Sequence, residues 1–366
     1  MQTIEIGHNQ AGQRLDKFLH KYLPLAPMGF LYKMLRKKNI TLNGKKASGS
    51  EMITMGDKVC VFFSDDTFEK FSGRNVASEA GNGDFECNKH RDETLVGTNI
   101  GNENDSESRQ MKEYLTVYEK LHGISILYED AHCLFLNKPA GILTQKAAAG
   151  DCSLNEWMIG YLLTQNPSLE GELATFRPSV CNRLDRNTSG IVLCGKSLAG
   201  LQFLSECIRE HKVRKFYHAV CVGEIRTPKE VKGYLVKDSV ENKVRIVSDP
   251  EGSKQGAVLI HTAYTPIVTA NGYTLLEVEL ITGKSHQIRA HLASMGHPLI
   301  GDAKYGRENV NSLFREKYGL KHQLLHAYRV EFPEKKFKFD VRLEQNSFVA
   351  PYSNLFLKLQ KELKLI

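Results

Sequence analysis

The sequence predicts an α+β protein in two folded parts: a small α/β module, then a larger domain built on a mixed or largely antiparallel sheet with flanking helices. Three observations predict this class. The chain has 366 residues, enough for two domains with a substantial core. A stretch rich in Gly, Asn, Ser, Asp and Glu separates two more apolar parts. In the second part, short apolar runs and helical patterns follow each other without regular β-α alternation.

Residues 1–63 are predicted to form the small module. Leu15, Phe18 and Leu19 follow helical spacing, and Pro24 and Pro27 end that first helix. A second helix is expected over residues 29–37, with its apolar side chains facing inward. Residues 40–45 indicate a strand that enters an Asn-Gly hairpin turn, and residues 56–61 indicate a turn followed by a strand.

Residues 64–112 are predicted to be a flexible polar and acidic linker. Large aliphatic residues are sparse there and no period is visible. Between Asp65 and Arg109 there are 11 acidic and 5 basic residues, whereas the whole chain has a net charge of +7, so the rest of the chain has a net charge of +13. A basic body of this kind favours a polyanionic partner, although charge alone would equally fit a basic protein without one.

Residues 113–366 are predicted to form one larger domain. The strands expected from apolar runs cover residues 125–127, 133–137, 191–195, 215–222, 274–280 and 325–332. The helices expected from periodic patterns cover residues 154–163, 198–210 and 286–294.

The eight cysteines include no Cys-x-x-Cys pair, and several lie in apolar runs. They are typical of the reduced, buried thiols of a cytoplasmic protein. The first residues lack a charged and then apolar leader, and no run approaches the roughly 18 apolar residues that span a bilayer. Export and membrane insertion are therefore not expected, and a monomer is the default.

The most informative segment is residues 182–190, which read Asn-Arg-Leu-Asp-Arg-Asn-Thr-Ser-Gly. Asp185 stands between Arg183 and Arg186, ahead of a polar turn and an apolar strand. A strand that leaves a polar loop presents a reactive side chain on a rigid support. The two arginines favour the ionised carboxylate and can bind phosphate.

This segment resembles the signature of the RluA-type pseudouridine synthase family, His-Arg-Leu-Asp followed by two variable residues and Thr-Ser-Gly. Asn182 replaces the usual His. Two further blocks match in the family order: residues 137–142, Asn-Lys-Pro-Ala-Gly-Ile, and residues 282–306, which contain Gln-Ile-Arg and Gly-Asp-Ala-Lys-Tyr-Gly. In the second block Lys284 and Ser285 stand where Arg and Thr are more usual. The resemblance implies a catalytic domain with a bent central sheet and isomerisation of uridine to pseudouridine in RNA.

The resemblance also implies site residues. Asp185 is the expected catalyst, Tyr217 of a Lys-x-Tyr-x-Ala-x-Val strand the aromatic that stacks on uracil, and Arg289 the cation that keeps Asp185 ionised. Arg183 is expected to fill the gap left by the extruded base, and Ile288 to pack against that base. The other RNA-binding positions predicted in the larger domain are Arg186 and Lys138.

Pseudouridine formation adds no atoms and changes no oxidation state, so no cofactor is expected. His286, His291 and His297 lack a His-Glu-x-x-His pattern or an acidic partner, so no metal is expected either. Two alternatives remain open at this stage: a non-catalytic RNA-binding or ribosome-assembly factor on the same fold, and an RNA nucleosidase, which would need a second acid that no comparable motif supplies.

The first module resembles an S4 RNA-binding domain, with an Arg-Leu-Asp helix, a basic second helix, a Leu-Asn-Gly-Lys hairpin and a Gly-Asp-x-Val strand. Its basic residues fall within 14 positions, which favours RNA contact. The residues predicted to bind RNA are Lys33, Arg36, Lys37, Lys38 and Lys45, with Lys46 beside them. Such a module implies ribosomal RNA, most simply that of the large subunit, as the substrate, with transfer RNA as the alternative.

Overall fold

The structure, a computed structural model, describes residues 1–7, 9–72, 103–173, 175–238, 243–247, 256–333 and 341–366. The chain divides into two compact units. Unit 1 comprises Met1–Thr116 and Leu162–Arg177, and unit 2 comprises Val117–Tyr161 and Pro178–Ile366. Within the described part of the chain, every helix is too short or too polar to cross a lipid bilayer.

Unit 1 contains a four-stranded antiparallel sheet with the order β1-β4-β2-β3. Strands and helices are numbered in chain order. The strands are β1 (Gln2–Glu5), β2 (Ile40–Leu42), β3 (Lys45–Lys46) and β4 (Lys58–Val61). The helices within the unit are α1 (Leu15–Tyr22), α2 (Met28–Arg36), α3 (Asp65–Ser72) and α6 (Leu169–Glu172). Helices α4 (Glu103–Lys120) and α5 (Leu154–Gln165) each contribute residues to both units.

The core of unit 1 follows from the helical apolar stripes. Leu15, Phe18 and Leu19 of α1 are fully buried, and they pack in one cluster with Leu31 and Leu35 of α2. Burying such side chains contributes roughly 1.5–3 kcal/mol each. The two helices and the Asn43-Gly44 turn between β2 and β3 were predicted from the sequence and are confirmed, whereas β1 was not predicted.

The predicted linker is structured at both of its ends. Helix α3 lies inside it because Phe68 is buried against the core of unit 1 and Phe71 packs beside it. Helix α4 begins at Glu103, ten positions before the predicted start of the larger domain, and buries Tyr114 and Val117. Residues 73–102, the middle of the predicted linker, lie outside the described residues.

Residues 162–177 belong to unit 1, although the sequence had placed them in the larger domain. The amide of Gln10 donates to Thr175 Oγ1 at 3.0 Å, and Asn9 bonds to the carboxylate of Glu172. These are contacts between residues more than 160 positions apart, and local patterns carry no trace of such pairs.

Unit 2 is built on one eleven-stranded sheet. Its strands are β5 (Ser125–Glu129), β6 (Cys133–Lys138), β7 (Ser179–Val180), β8 (Ser189–Gly195), β9 (Arg214–Val222), β10 (Lys229–Asp238), β11 (Lys243–Val247), β12 (Val258–Ala270), β13 (Tyr273–Leu280), β14 (Leu325–Glu331) and β15 (Ser347–Val349). Its helices, besides parts of α4 and α5, are α7 (Leu198–Arg209), α8 (Gln287–Ser294), α9 (Glu308–Tyr318) and α10 (Asn354–Glu362). The six strands and three helices predicted here are all present, with ends within two residues.

The sheet has the order β11-β10-β12-β13-β9-β14-β8-β6-β5, with β15 paired to β14 and β7 to β8. The pair β14 and β8 is parallel and every other pair is antiparallel, so the predicted mixed sheet is confirmed. The pairing sets Tyr217 of β9 opposite Ala327 of β14, Ala327 opposite Gly190 of β8, and Gly190 opposite Lys138 of β6. One row across four strands thus brings three motifs together that are far apart in the sequence.

Gly190 is required where β8 and β14 approach each other. Its φ is +112°, and a Cβ atom there would lie 2.2 Å from the carbonyl oxygen of Ala327. Gly190→Ala is therefore expected to destabilise unit 2 by at least about 3 kcal/mol, because the backbone of a central strand must move.

The matched control is Gly272→Ala. Gly272 also has a positive φ, +78°, but no atom lies within 4 Å of its added Cβ. It should lose only about 1 kcal/mol from backbone strain. Urea unfolding followed by the fluorescence of Trp157, the single tryptophan, measures both, because Trp157 lies in unit 2. Equal losses in the two variants would contradict the steric explanation.

Candidate active site

The loop that carries Asp185 runs from β7 into β8 and is held on both sides of that residue. The backbone N–H of Leu184 donates to Thr144 Oγ1 at 3.1 Å, and the same hydroxyl donates to the carbonyl of Leu184 at 2.8 Å. The N–H of Thr188 donates to the carbonyl of Asp185 at 3.0 Å. These bonds fix the backbone from which the carboxylate projects.

Asn182, which replaces the usual His of the motif, anchors the start of the loop on β8. Its side-chain oxygen accepts the N–H of Leu193 at 2.7 Å, and its amide donates to the carbonyl of Ile191 at 3.4 Å. Both partners are backbone groups, so this position holds the loop.

Lys138 was predicted to bind RNA, and this prediction is wrong. Its side chain is completely buried, and the ammonium donates to the carbonyl oxygens of Pro139, Ile142 and Arg186 at 2.8–3.1 Å. Burial lowers the pKa of Lys138 to about 7, against the charge of nearby Asp185, which raises it. Lys138 thus connects the loop after β6 with the Asp185 loop, because a long side chain with three donors can satisfy several buried carbonyls at once.

Arg289 of α8 bridges two carboxylates. Its Nη1 donates to Asp185 Oδ2 at 2.9 Å, and its Nε and Nη2 donate to the two oxygens of Asp302 at 2.7 and 2.8 Å. The fork-shaped pairing with Asp302 fixes the plane of the guanidinium. The side chain of Asp302 is fully buried, whereas that of Asp185 is 27% exposed. Arg289 therefore pairs with Oδ2 of Asp185, while part of the Asp185 side chain stays accessible to solvent.

Electrostatics keep the pair of Arg289 and Asp302 charged. Burial by itself would raise the pKa of Asp302, but its hydrogen bonds to Arg289 and the arginine's charge bring that pKa below the usual range. Burial likewise opposes the charge of Arg289, and the two carboxylates outweigh it, so the pKa of the guanidinium is raised. One cation and two carboxylates leave the cluster with a net charge of −1.

Asp302 and Tyr305 lie in the third motif block, and neither was predicted to be a site residue. Tyr305 lies under the guanidinium of Arg289, with 5.2 Å from its ring centroid to the Cζ atom. Its hydroxyl accepts the N–H of Val244 at 2.9 Å and lies 3.0 Å from Nδ1 of His286, whose Nε2 is 4.0 Å from Asp185 Oδ2. The sequence signal for both residues is their place in the Gly-Asp-Ala-Lys-Tyr-Gly segment, which supplies an acid and an aromatic side chain.

Tyr217 lies on β9 at the wall of the same cleft, and 6% of its surface is exposed. Burial and the negative charge of Asp185 raise the pKa of its hydroxyl, so it is a protonated phenol at neutral pH. Ile288, which directly precedes Arg289, lines the cleft as well while 4% of its surface is exposed. The predicted catalytic residues Asp185, Tyr217 and Arg289 thus meet at one place.

The cleft has a volume of about 700 Å³ and lies entirely within unit 2. Among its described lining residues, the only carboxylate belongs to Asp185. The cations that line it are Lys146, Arg183, Arg186, Lys215, Lys237, Lys243, Lys284 and Arg289. A concave surface with this charge is suited to a polyanionic ligand that delivers one residue to the carboxylate.

The remaining predicted RNA-binding residues are on the surface. Arg183 and Arg186 are exposed and line the cleft on either side of Asp185. In unit 1 the basic residues of α2, of the turn that follows it and of β3 are all exposed: Lys33, Arg36, Lys37, Lys38, Lys45 and Lys46.

The histidines of the third block have protein partners. Nδ1 of His291 lies 3.1 Å from Thr262 Oγ1, and Nδ1 of His297 lies 3.0 Å from the carbonyl of Val222. His286 contacts Tyr305 as described above. Among the described residues, no three His, Cys, Asp or Glu side chains are grouped as metal ligands would be.

A buried histidine supports the end of the Asp185 loop. Nδ1 of His326 lies 2.8 Å from Ser189 Oγ, and its Nε2 lies 3.1 Å from the carbonyl of Ala350. Burial lowers the pKa of His326 to about 4. As the pH falls from about 6.5 toward about 4, the unfolded chain takes up a proton that the folded state does not. The free energy of unfolding therefore decreases as the pH decreases in this window.

His326→Gln should remove this contribution. Between about pH 7 and pH 4.5, the wild type is expected to lose about 2–3 kcal/mol more of its free energy of unfolding than the variant does. Urea unfolding at the two pH values, followed by Trp157 fluorescence, measures the difference. The same pH dependence in both proteins would contradict the assignment.

The chain is similar to several known proteins. A model of the family described as RNA pseudouridylate synthase matches residues 132–294, which include Asp185, Tyr217 and Arg289. The ribosomal large subunit pseudouridine synthase C of Vibrio cholerae is 30% identical over 349 residues and covers 94% of both chains. The protein of the same description from Rickettsia bellii is 30% identical over 334 residues, 90% of this chain and 93% of the relative.

One solved structure shows the same fold. The human RNA Pseudouridylate Synthase Domain Containing 4 aligns with a TM-score of 0.53 at 22% identity, over 69% of this chain and 97% of that one. This likeness covers the fold, a large mixed sheet with flanking helices. The chain therefore belongs to the RNA pseudouridylate synthase family and is an RNA pseudouridine synthase.

Proposed function

We propose that this enzyme converts uridine to pseudouridine in the ribosomal RNA of the large subunit, with Asp185 as the group that acts on the target nucleotide. The observation that carries the proposal is the carboxylate itself. It is partly exposed, paired with Arg289 on one oxygen, and set in a cleft whose other charged lining residues, among those described, are cations. A nucleotide that enters this cleft meets one reactive anion.

The reaction has a simple balance. The bond between N1 of uracil and C1′ of ribose breaks, the base turns, and C5 forms the new bond to C1′. The hydrogen on C5 leaves as a proton and N1 gains one, so no oxidant, reductant or cofactor is consumed. Asp185 either forms a bond to the nucleotide or removes the C2′ proton, and both routes need its ionised form. Arg289 donates a hydrogen bond to Asp185 Oδ2 and so orients the carboxylate.

The other side chains take roles that their positions permit. Tyr217 offers its ring as a stacking surface for the extruded uracil, and its protonated hydroxyl is a donor rather than a base. Ile288 supplies an apolar contact beside Arg289. Arg183, exposed next to Asp185, is suited to fill the space that the base leaves in the RNA, and exposed Arg186 is suited to the backbone phosphates.

Unit 1 is proposed to be an S4-like RNA-binding module. Its first two helices pack on an antiparallel sheet, and the exposed cations of α2 and of the β2–β3 hairpin lie on these consecutive elements. Phosphate contacts of this kind increase affinity without reading a sequence. The two similar bacterial proteins, which align along more than 90% of their length, are described as acting on the large ribosomal subunit, and this supports the same substrate here. The seven described cysteines are free thiols, which fits a cytoplasmic enzyme.

Release of tritium from C5-labelled RNA tests the proposal. Large-subunit ribosomal RNA, small-subunit ribosomal RNA and total transfer RNA are offered separately at equal uridine concentration, and the products are mapped by carbodiimide treatment and primer extension. Release from the large-subunit RNA alone, at a discrete uridine, is expected. Release from transfer RNA alone would replace the ribosomal substrate with the alternative, and no release from any of the three would overturn the proposal.

A further inference from the structure

Lys215, the first residue of the Lys-x-Tyr segment that carries Tyr217, is a half-buried lysine in the cleft to which no role is assigned above. It lies on β9 two positions before Tyr217. Because side chains alternate along a strand, Lys215 and Tyr217 share a face, with Cα atoms about 7 Å apart. Both line the cleft, and the ammonium of Lys215 lies beside Gly283 of the loop before α8.

The opposite face of the same strand shows how cations are normally accommodated in this sheet. Arg214 pairs with Glu279 at 2.9 Å and with Glu331 at 3.2 Å, and its guanidinium also covers the ring of Phe216. Lys215 is different. Among the described residues its ammonium has no hydrogen-bond acceptor and no carboxylate within ion-pair distance. Burial lowers its pKa, with no opposing charge.

An unpaired, half-buried ammonium reduces the stability of the free protein, so a ligand that neutralises it is strongly favoured. The carbonyl groups of uracil are neutral and would leave the charge uncompensated. A phosphodiester oxygen would compensate it. Asp185, the one acid among the described residues that line the cleft, is paired with Arg289 and forms no ion pair with Lys215.

We propose that Lys215 binds a phosphate of the RNA strand next to the target uridine, and so holds the extruded nucleotide over Asp185 and Tyr217. This role rests on the proposed function. It differs from the roles of Arg183 and Arg186, which are exposed on the Asp185 loop, because the ammonium of Lys215 is restricted by the cleft wall and loses less conformational freedom on binding.

The test uses the full-length protein with Asp185→Asn, so that bound RNA is not converted. The probe is a large-subunit RNA fragment that carries the uridine mapped above. Adding Lys215→Gln should weaken binding about tenfold. It should also reduce the slope of log Kd against log salt by about 0.7–0.9, the value of one phosphate contact. Lys358→Gln is the matched control, since Lys358 is exposed on α10, outside the residues that line the cleft, and should change neither quantity.

A neutral methylphosphonate placed at single phosphates around the uridine locates the contact. At one position the protein with Lys215 should lose about tenfold in affinity and the Lys215→Gln protein should lose nothing further. Losses that add at every position, or an unchanged salt slope, would overturn the inference. The absence of tritium release by the wild type would instead count against the proposed function, so the two failures are distinguishable.

Stability provides a second readout. Because Lys215 has no ion-pair partner among the residues that the structure describes, Lys215→Gln should leave the urea midpoint of Trp157 fluorescence unchanged or raise it. A lower midpoint together with weaker RNA binding would show that Lys215 holds the fold rather than the RNA, which would also overturn the inference.

Discussion

Asp185→Asn should abolish pseudouridine formation, with turnover falling by at least about 10⁴-fold. Asn has the same shape but is neither a nucleophile nor a base, so both routes open to the carboxylate are lost. The fold should persist, because Arg289 remains held by the two oxygens of Asp302. RNA binding should be retained or strengthened, since the substitution removes the one negative charge among the described lining residues of the cleft.

Tritium release under single-turnover conditions measures this effect, and filter binding measures the affinity. Glu308→Gln is the control for loss of one carboxylate, because its side chain is 74% exposed on α9. It should leave turnover unchanged. Turnover by Asp185→Asn within tenfold of the wild type would remove Asp185 from the reaction.

Arg289→Met has the second-largest expected effect, because it removes both activity and stability. Asp302 is sealed in unit 2 and depends on Arg289 as its countercharge. Without the arginine, a buried carboxylate is left uncompensated, and the free energy of unfolding should fall by about 3–5 kcal/mol. Asp185 also loses the donor that orients it, so tritium release should fall even below the temperature at which the variant unfolds.

A double variant separates the two losses. Asp302→Asn in the Arg289→Met protein removes the stranded charge and keeps an oxygen that can accept the N–H groups of Lys304 and Tyr305. Most of the stability should return, as read from Trp157 fluorescence, while activity should not. Recovery of activity with stability would show that Arg289 serves the fold alone.

Much of the site was predictable from the sequence because its chemistry is carried by short contiguous motifs. Each of the three predicted catalytic residues was named from its own segment of the sequence. In the structure Arg289 contacts Asp185 directly, and Tyr217 lines the same cleft. The wrong assignment was Lys138. A lysine next to a glycine-containing loop indicates phosphate binding as readily as it indicates a structural role, and only burial distinguishes the two.

The division of the chain was less predictable. Residues 162–177 and helix α3 join unit 1 through contacts such as Gln10 with Thr175 and the buried ring of Phe68. The assignment of these two segments to unit 1 depends on contacts of a few side chains with residues far away in the sequence. Composition does not contain that information. A short polar helix with one buried aromatic therefore looks like linker in the sequence.

The linear order of residues determined the elements of this protein and the identity of its reactive groups, because helix and strand periods, turn chemistry and motif composition are local properties. Only the tertiary structure decided how those groups act together. Pairing β9, β14, β8 and β6 in one row brought the Tyr217 strand, the strand that follows the Asp185 loop and the strand that ends at Lys138 together. Folding also made Asp302 the partner of Arg289, enclosed Lys138 and left Lys215 without a countercharge in the part of the chain that the structure describes. Pairing and desolvation are set by neighbours that the chain brings together only when it folds.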